Sequence, residues 1–261
     1  MKLLDWITLE KLDWQELSAN PSDGAVDLLL ANPYEIYFSE SAENTNDRIV
    51  KYLLADTRRI DMWRFCENPN DLAVDYTLAN VDLGEYNFHY LCENPNDRVV
   101  DLVLTKINKI NLEWLSFNSN DRAVDQLLKF PELIKWDWLS MNPNDRVVKL
   151  LLKNPDKIDY ELFSRNPNDC ALEHLLANPK KIDWDLFSLN PNKRVIEVLK
   201  QNQDKINWSN LSRNPFIFED YQTLCKERTD VLREELMEKT WHPARFRSWC
   251  LEYDDEFYLE V

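Results

Sequence analysis

An asparagine recurs every 24 residues through most of this chain, at Asn20, Asn44, Asn68, Asn94, Asn118, Asn142, Asn166, Asn190 and Asn214. One interval is longer, 26 residues between Asn68 and Asn94. Proline follows in seven of the nine cases, and Asn-Asp usually comes next, as in Asn142-Pro143-Asn144-Asp145. A fixed period of this length marks a stacked array, in which each repeat buries its apolar face against its neighbours. That periodicity constrains the architecture more than any single residue does.

Residues 166–189 show what one period builds. Asn166 is a favoured N-cap, Pro167 suits the first helical position, and Asp169 can reach back to the cap from the third. Ala171, Leu172, Leu175 and Leu176 then share one helical face. Asn178-Pro179 ends the helix, because the residue before a proline avoids the helical region. The first helix is thus about ten residues long. Asp183 caps a second helix of one or two turns, which carries Trp184, Leu186 and Phe187. Its apolar columns recur along the chain, as Ile60, Ile110, Ile134, Ile158, Ile182 and Ile206, and as Trp14, Phe38, Phe88, Trp136, Tyr160, Trp184 and Trp208. Helices this short are marginal alone and need tertiary burial.

The expected fold is therefore all-α, an α-solenoid of about nine 24-residue helix pairs over residues 1–215. Residues 216–261 are expected to form a helical C-terminal cap or docking segment, since an open array must cover its last repeat. With units ~10 Å apart, an open array of this kind is about 80–90 Å long. The two-residue lengthening at Val81-Asp82-Leu83-Gly84 falls between the two helices of its unit.

Composition narrows the function classes. Forty-seven acidic against 31 basic residues give a net charge of −16. No basic stripe exists to displace counterions from nucleic acid or to dock on anionic lipid. With only two glycines, Gly24 and Gly84, the chain lacks a phosphate-binding glycine loop. His89, His174 and His242 have no metal-ligand spacing, so neither metal nor cofactor is expected. Cys66, Cys92, Cys170, Cys225 and Cys250 form an odd set without a Cys-x-x-Cys pair. Cys66 and Cys92 share a column, but packed helices stand ~8–10 Å apart, beyond the about 7 Å a disulfide spans between Cα atoms. Reduced, buried thiols follow. No 18-residue apolar run is present, and the expected location is intracellular. The sequons at Asn207 and Asn210 then carry no glycan.

The recurring columns offer chemistry only weakly. The nine asparagines read as structural caps whose side chains also bond the neighbouring repeat, with a ligand-binding ladder of amides as the alternative. Arg48, Arg98, Arg122, Arg146 and Arg194 share a helical column with flanking acids, so Arg98–Asp101 and Arg122–Asp125 are expected to pair within a helix. Trp63, Trp114 and Trp138 lie off the main tryptophan column and are candidate partner contacts, as are Tyr52 and Tyr76 at one helical position of consecutive repeats.

The double Asn-Pro unit, as in Asn142-Pro143-Asn144-Asp145-Arg146-Val147-Val148-Lys149-Leu150-Leu151 followed by Asn154-Pro155-Asp156-Lys157-Ile158-Asp159-Tyr160, resembles the Asn-Pro repeat proteins of giant nucleocytoplasmic large DNA viruses. The closing His242-Pro243-x-Arg245-Phe246-x-x-Trp249 resembles the tail that ends many of them. The likeness covers roughly residues 8–250, and Asn44-Thr45, Asn118-Ser119 and Val81 depart from it at proline positions. It implies a viral helical-repeat protein, in infected-cell cytoplasm or in the virion, and no common activity. The expected function is a non-enzymatic protein-interaction scaffold or adaptor for a host or viral protein. The acidic surface favours a basic partner, by steering. The alternative is a virion component that braces or spaces capsid proteins. Oligomeric state is left open by these patterns.

Overall fold

The computed structural model describes residues 2–80, 85–106, 112–219, 229 and 233, without the side chains of 85–87. The chain divides into two compact bodies, Leu3–Phe218 and a second made of Met1–Lys2 with Glu219–Val261. The insertion at 81–84, Ile110, and the expected cap beyond Glu219 lie outside the described residues. All that follows concerns the first body.

Its architecture is the expected array of helix pairs. The longer helices, here called A, are Asp23–Ala31, Asp47–Leu54, Asp71–Asn80, Asp97–Thr105, Asp121–Leu127, Asp145–Lys153, Asp169–Ala177 and Lys193–Gln201. The shorter B segments are Trp14–Ser18, Phe38–Ser41, Met62–Glu67, Glu85–Glu93, Leu112–Ser116, Trp136–Met141, Tyr160–Phe163, Trp184–Leu189 and Trp208–Ser212. Each B segment runs into one of the nine recurrent asparagines, which number the units 1 to 9. One-turn 3-10 helices such as Pro155–Lys157 link A to B.

Burial follows the period. In helix A of unit 7, Ala171, Leu172 and Leu175 are fully buried, as expected, whereas Leu176 points outward and is 38% exposed. In the B segments, Leu115, Leu139, Phe163, Phe187 and Leu211 occupy one sealed column. Each contributes about 1.5–3 kcal/mol of burial. A neighbouring column of small residues is equally sealed: Ser18, Ser116, Ser140, Ser164, Ser188 and Ser212. Their hydroxyls tie units together. Ser140 Oγ donates to Trp136 O at 2.7 Å and accepts from Asp159 N at 3.0 Å, and Ser164 repeats the arrangement with Asp183 N at 2.9 Å.

The asparagine column bonds the neighbouring unit, as expected, but does not cap helix A. All nine side chains are buried, with 0–2% exposure. Asn142 Nδ2 donates to Ser116 O and to Asn118 O, both at 2.9 Å, and its Oδ1 accepts from Asn144 N at 3.0 Å. Helix A begins later, and its N-cap is the asparagine two positions on: Asn144 accepts from Arg146 N, and Asn46, Asn96, Asn120, Asn168 and Asn192 do the same in their units. Among the nine, only Asn214 directly precedes a helical turn, Pro215–Ile217. The reason is accounting of buried polar groups. The carbonyls at the end of each B segment would be orphaned between units, and the first asparagine is the side chain that reaches them. The second asparagine adds a parallel ladder, with Asn144 Nδ2 donating to Ser119 O at 3.0 Å and Asp121 Oδ1 at 2.8 Å of the unit before.

The array closes on itself, and this overturns the expected open rod. Asn20 Nδ2 donates to Ser212 O at 2.9 Å and Asn214 O at 2.8 Å, the same bonds that every other unit makes to its predecessor. Asp13 N donates to Ser212 Oγ at 2.8 Å, matching the serine bonds elsewhere. Lys11 Nζ lies 3.9 Å from the centroid of the Trp208 ring, as Lys205 lies 4.3 Å from that of Trp184. Unit 9 therefore treats unit 1 as its next neighbour, and the last repeat has no exposed end to cap. Nine units sharing one full turn rotate by about 40° each. Beyond Asn214 the seam is sealed by Phe218, whose ring packs over Gly24 so closely that a Cβ there would lie 2.5 Å from it. Leu4 N donates to Ile217 O at 3.1 Å, which joins the segment before unit 1 to the segment after unit 9.

The arginine column also pairs differently from expectation. Arg48 bonds Asp27, Arg98 bonds Asp75 and Arg146 bonds Asp125, each at 2.7 Å. Arg122 bonds Asp101 in the same way. Every partner is on the A helix of the preceding unit, because a side chain lying across the stack reaches an adjacent helix more readily than its own next turn. Both ends are about half exposed, so each pair contributes a few tenths of a kcal/mol.

A candidate binding face inside the ring

Two positions of each B segment, one and four residues before its asparagine, lie three residues apart and so share a helical face. Ionic contacts fix which way that face points. Arg213 of unit 9 bonds Glu16 of unit 1 at 3.4 Å and also Glu43 of unit 2. Arg165 of unit 7 is attracted by Glu16, three units away. On the outside of a ring, side chains diverge and reach only the adjacent unit. Contacts that skip units place this face on the inside.

The interior is divided into two arcs. In units 9 and 1 to 4 its residues include Arg213, Glu16, Glu43, Arg64, Glu67 and Glu93. Arg64 also pairs with Glu43. Glu67 and Glu93 are neighbours without an ion pair among the described residues. Burial pushes both carboxyls up to about 7, and the charge of Glu93 adds to the shift of Glu67. Units 5 to 8 present Trp114, Phe117, Trp138, Met141, Leu162, Leu186 and Leu189, with Arg165 among them. Burial lowers the Arg165 pKa from the ordinary guanidinium range, and the Glu16 charge opposes this only in part.

Of the three predicted tryptophan contacts, Trp114 and Trp138 are brought together on this face, whereas Trp63 stands five residues before its asparagine, one position off it. Trp63 is 59% exposed and stacks on Tyr90 of unit 4 at 6.2 Å. Trp114 stands 5.2 Å from His89 and 4.9 Å from Trp138, which in turn stacks on Phe117 at 4.9 Å. An aromatic strip thus runs from His89 in unit 4 to Trp138 in unit 6, beside the separate Trp63–Tyr90 stack. Tyr52 and Tyr76 do not join it. They lie on A helices, half-buried, with their rings against Phe38 at 6.1 Å and Phe65 at 6.0 Å, where they pack the array rather than face a partner.

Sequence reasoning missed Tyr90, Phe117, Glu67, Glu93, Arg165 and Arg213. The available signal was variation: these two positions change from acid to arginine to aromatic to leucine between units, while the two positions between them stay apolar or small, as Leu139 and Ser140 do in unit 6. Without the closure, nothing marked them as facing one another.

Other chemistry stays in the background. Cys66 and Cys92 are free and buried, as expected, and burial pushes their thiols up to about 12, which makes them poor nucleophiles. Cys170 is free and exposed, whereas Cys225 and Cys250 lie outside the described residues. No cluster of three metal-ligating side chains occurs among the described residues. No helix among them is long and apolar enough to cross a membrane. No protein-family profile, curated protein or solved structure matches this chain.

Proposed function

We propose that the closed array is a non-enzymatic protein-binding scaffold or adaptor whose selective surface is the interior face. One observation supports this reading above others. The interior positions run from acid to arginine to aromatic to leucine between units, while the asparagine and serine columns are consumed by the bonds that stack one unit on the next. Aromatic and arginine side chains on a partly buried concave face are what binding hot spots are made of. Backbone closure holds that face rigid before a partner arrives, which lowers the ordering cost of association.

In keeping with the resemblance to giant-virus repeat proteins, the site of action is infected-cell cytoplasm or the virion. The net charge of −16 favours a basic partner through long-range steering. The virion-brace alternative loses its main support, since a closed array does not gain span with repeat number.

The test is capture from producing cells with the full chain and with Trp138→Ala, which trims the aromatic strip. A specific protein held by the former and lost from the latter supports the adaptor. Equal capture by both removes the interior from the account. Abundance in purified particles on the scale of capsid proteins replaces the adaptor with the structural role.

A further inference from the structure

Units 6, 7 and 8 place six residues on the interior face: Trp138, Met141, Leu162, Arg165, Leu186 and Leu189. Five are apolar and the sixth is an arginine. Among the described residues the Arg165 guanidinium makes no ion pair and no side-chain hydrogen bond. The nearest acid in its electrostatic surroundings, Glu16, is already held by Arg213 at 3.4 Å. Glu93 in unit 4 is as many units from Arg165 as Glu16 is, and Glu67 in unit 3 one more, yet neither contributes to the electrostatics of Arg165. None of the Arg165 nitrogens is sealed from solvent without a partner, as Ser41 Oγ, Thr77 Oγ1 and His89 Nδ1 are, so the group is deep but reachable.

A partly buried charge without a partner is costly, and a fold that needed only packing there is better served by a sixth apolar side chain. We propose that Arg165 is the anchor of a binding site for a carboxylate carried on an apolar body. This rests on the reading of the interior as the binding face and names the group that face selects. The planar guanidinium fork matches a carboxylate through two parallel N–H···O bonds. Met141, Leu162 and Leu189, at the same two positions of units 6 to 8, add apolar side chains to the face that carries the fork. A single guanidinium with no second cation beside it neutralises one negative charge, which favours a monoanionic carboxylate over a phosphate dianion. The carboxylate can belong to a free acid or to the end of a polypeptide. An overall basic partner remains compatible, because steering acts on the whole molecule and Arg165 on one group.

The experiment titrates the full chain by calorimetry and NMR with hexanoate, hexanol, inorganic phosphate and acetyl-Leu-Leu with a free C-terminal carboxylate. Hexanoate and acetyl-Leu-Leu are expected to bind saturably, with hexanol and phosphate at least tenfold weaker. Arg165→Gln is expected to lose at least tenfold toward both carboxylates. Tighter binding of acetyl-Leu-Leu than of hexanoate assigns the site to a polypeptide end, and the reverse order to a free acid. Arg165→Met guards against a folding artefact: with no probe present its Tm should equal or exceed that of the wild type. Absence of saturable carboxylate binding, phosphate binding as tight as hexanoate, undiminished binding by Arg165→Gln, or a lowered Tm for Arg165→Met overturns the proposal. Carboxylate binding without any captured protein defeats the adaptor reading alone, and capture without carboxylate binding defeats this inference alone.

Discussion

Truncating Asn20 to alanine separates a closed array from an open one by energy alone. In the closed ring Asn20 loses two Nδ2 donations, to Ser212 O at 2.9 Å and Asn214 O at 2.8 Å, and the acceptance from Ser22 N at 3.0 Å, with a further acceptance from Ser22 Oγ at 2.7 Å that has no counterpart at Asn142. Asn142 loses the equivalent three bonds. At ~1 kcal/mol net per bond, with further cost for buried carbonyls left unpaired, each substitution should destabilise by about 3–5 kcal/mol. In an open array Asn20 has no preceding unit. Only the bonds from Ser22 N and Ser22 Oγ are then at stake, and the cost falls to about 1–2 kcal/mol. Urea unfolding of Asn20→Ala and Asn142→Ala, followed by circular dichroism, measures both. Similar losses of midpoint at unchanged slope support closure. A penalty for Asn20→Ala less than half that for Asn142→Ala refutes the reasoning.

Three further outcomes follow from the packing and the interior charges. Glu93 has its carboxyl raised by burial to about 7 from an ordinary 4.5, so between those values the folded state holds a proton that the unfolded state has lost. Stability should fall as pH rises through that window and level off above it. Glu93→Gln should therefore stabilise by about 1–2 kcal/mol at pH 8, allowing for partial exposure, and change little at pH 4, as read by denaturant midpoints at the two pH values. Ser41 Oγ is buried without a partner whereas Ser140 Oγ bonds twice. Ser41→Ala should be neutral or stabilising and Ser140→Ala should cost about 1–2 kcal/mol in the same unfolding assay. Gly24→Ala should lose about 1–3 kcal/mol by overpacking against Phe218, with much of the loss recovered in combination with Phe218→Leu.

Much of the fold was readable from local rules. The period gave the pairs, the apolar faces of helix A were placed correctly at Ala171, Leu172 and Leu175, and Asp183 caps its B segment by accepting from Leu186 N at 2.9 Å. Two asparagines two residues apart are both good N-caps by type, so the sequence alone did not show which would cap and which would be buried between units. That choice depends on where the neighbour's carbonyls stand, a tertiary fact. Closure depended on the rotation per unit, which arises from small differences in packing and leaves no residue-type signature. The candidate site shared this fate. Trp63, Trp114 and Trp138 stood out as departures from a column, but Arg165 and Glu93 became notable only once the curvature turned their column inward. Tyr52 and Tyr76 misled because position on a helix does not tell a packed ring from an offered one.

The most direct test of the closed ring is a spin-label distance. Glu10, Lys180 and Asp204 are exposed and occupy the same place in successive units when unit 1 follows unit 9. Labels are attached at cysteines replacing pairs of these residues, with Cys170, Cys225 and Cys250 changed to serine, and the distance is read by pulsed dipolar spectroscopy. The Glu10–Asp204 pair should give the same distance as the neighbouring-unit pair Lys180–Asp204. A separation of eight stacked units for Glu10–Asp204, about 80 Å, would contradict the ring and return the protein to an open solenoid with no interior.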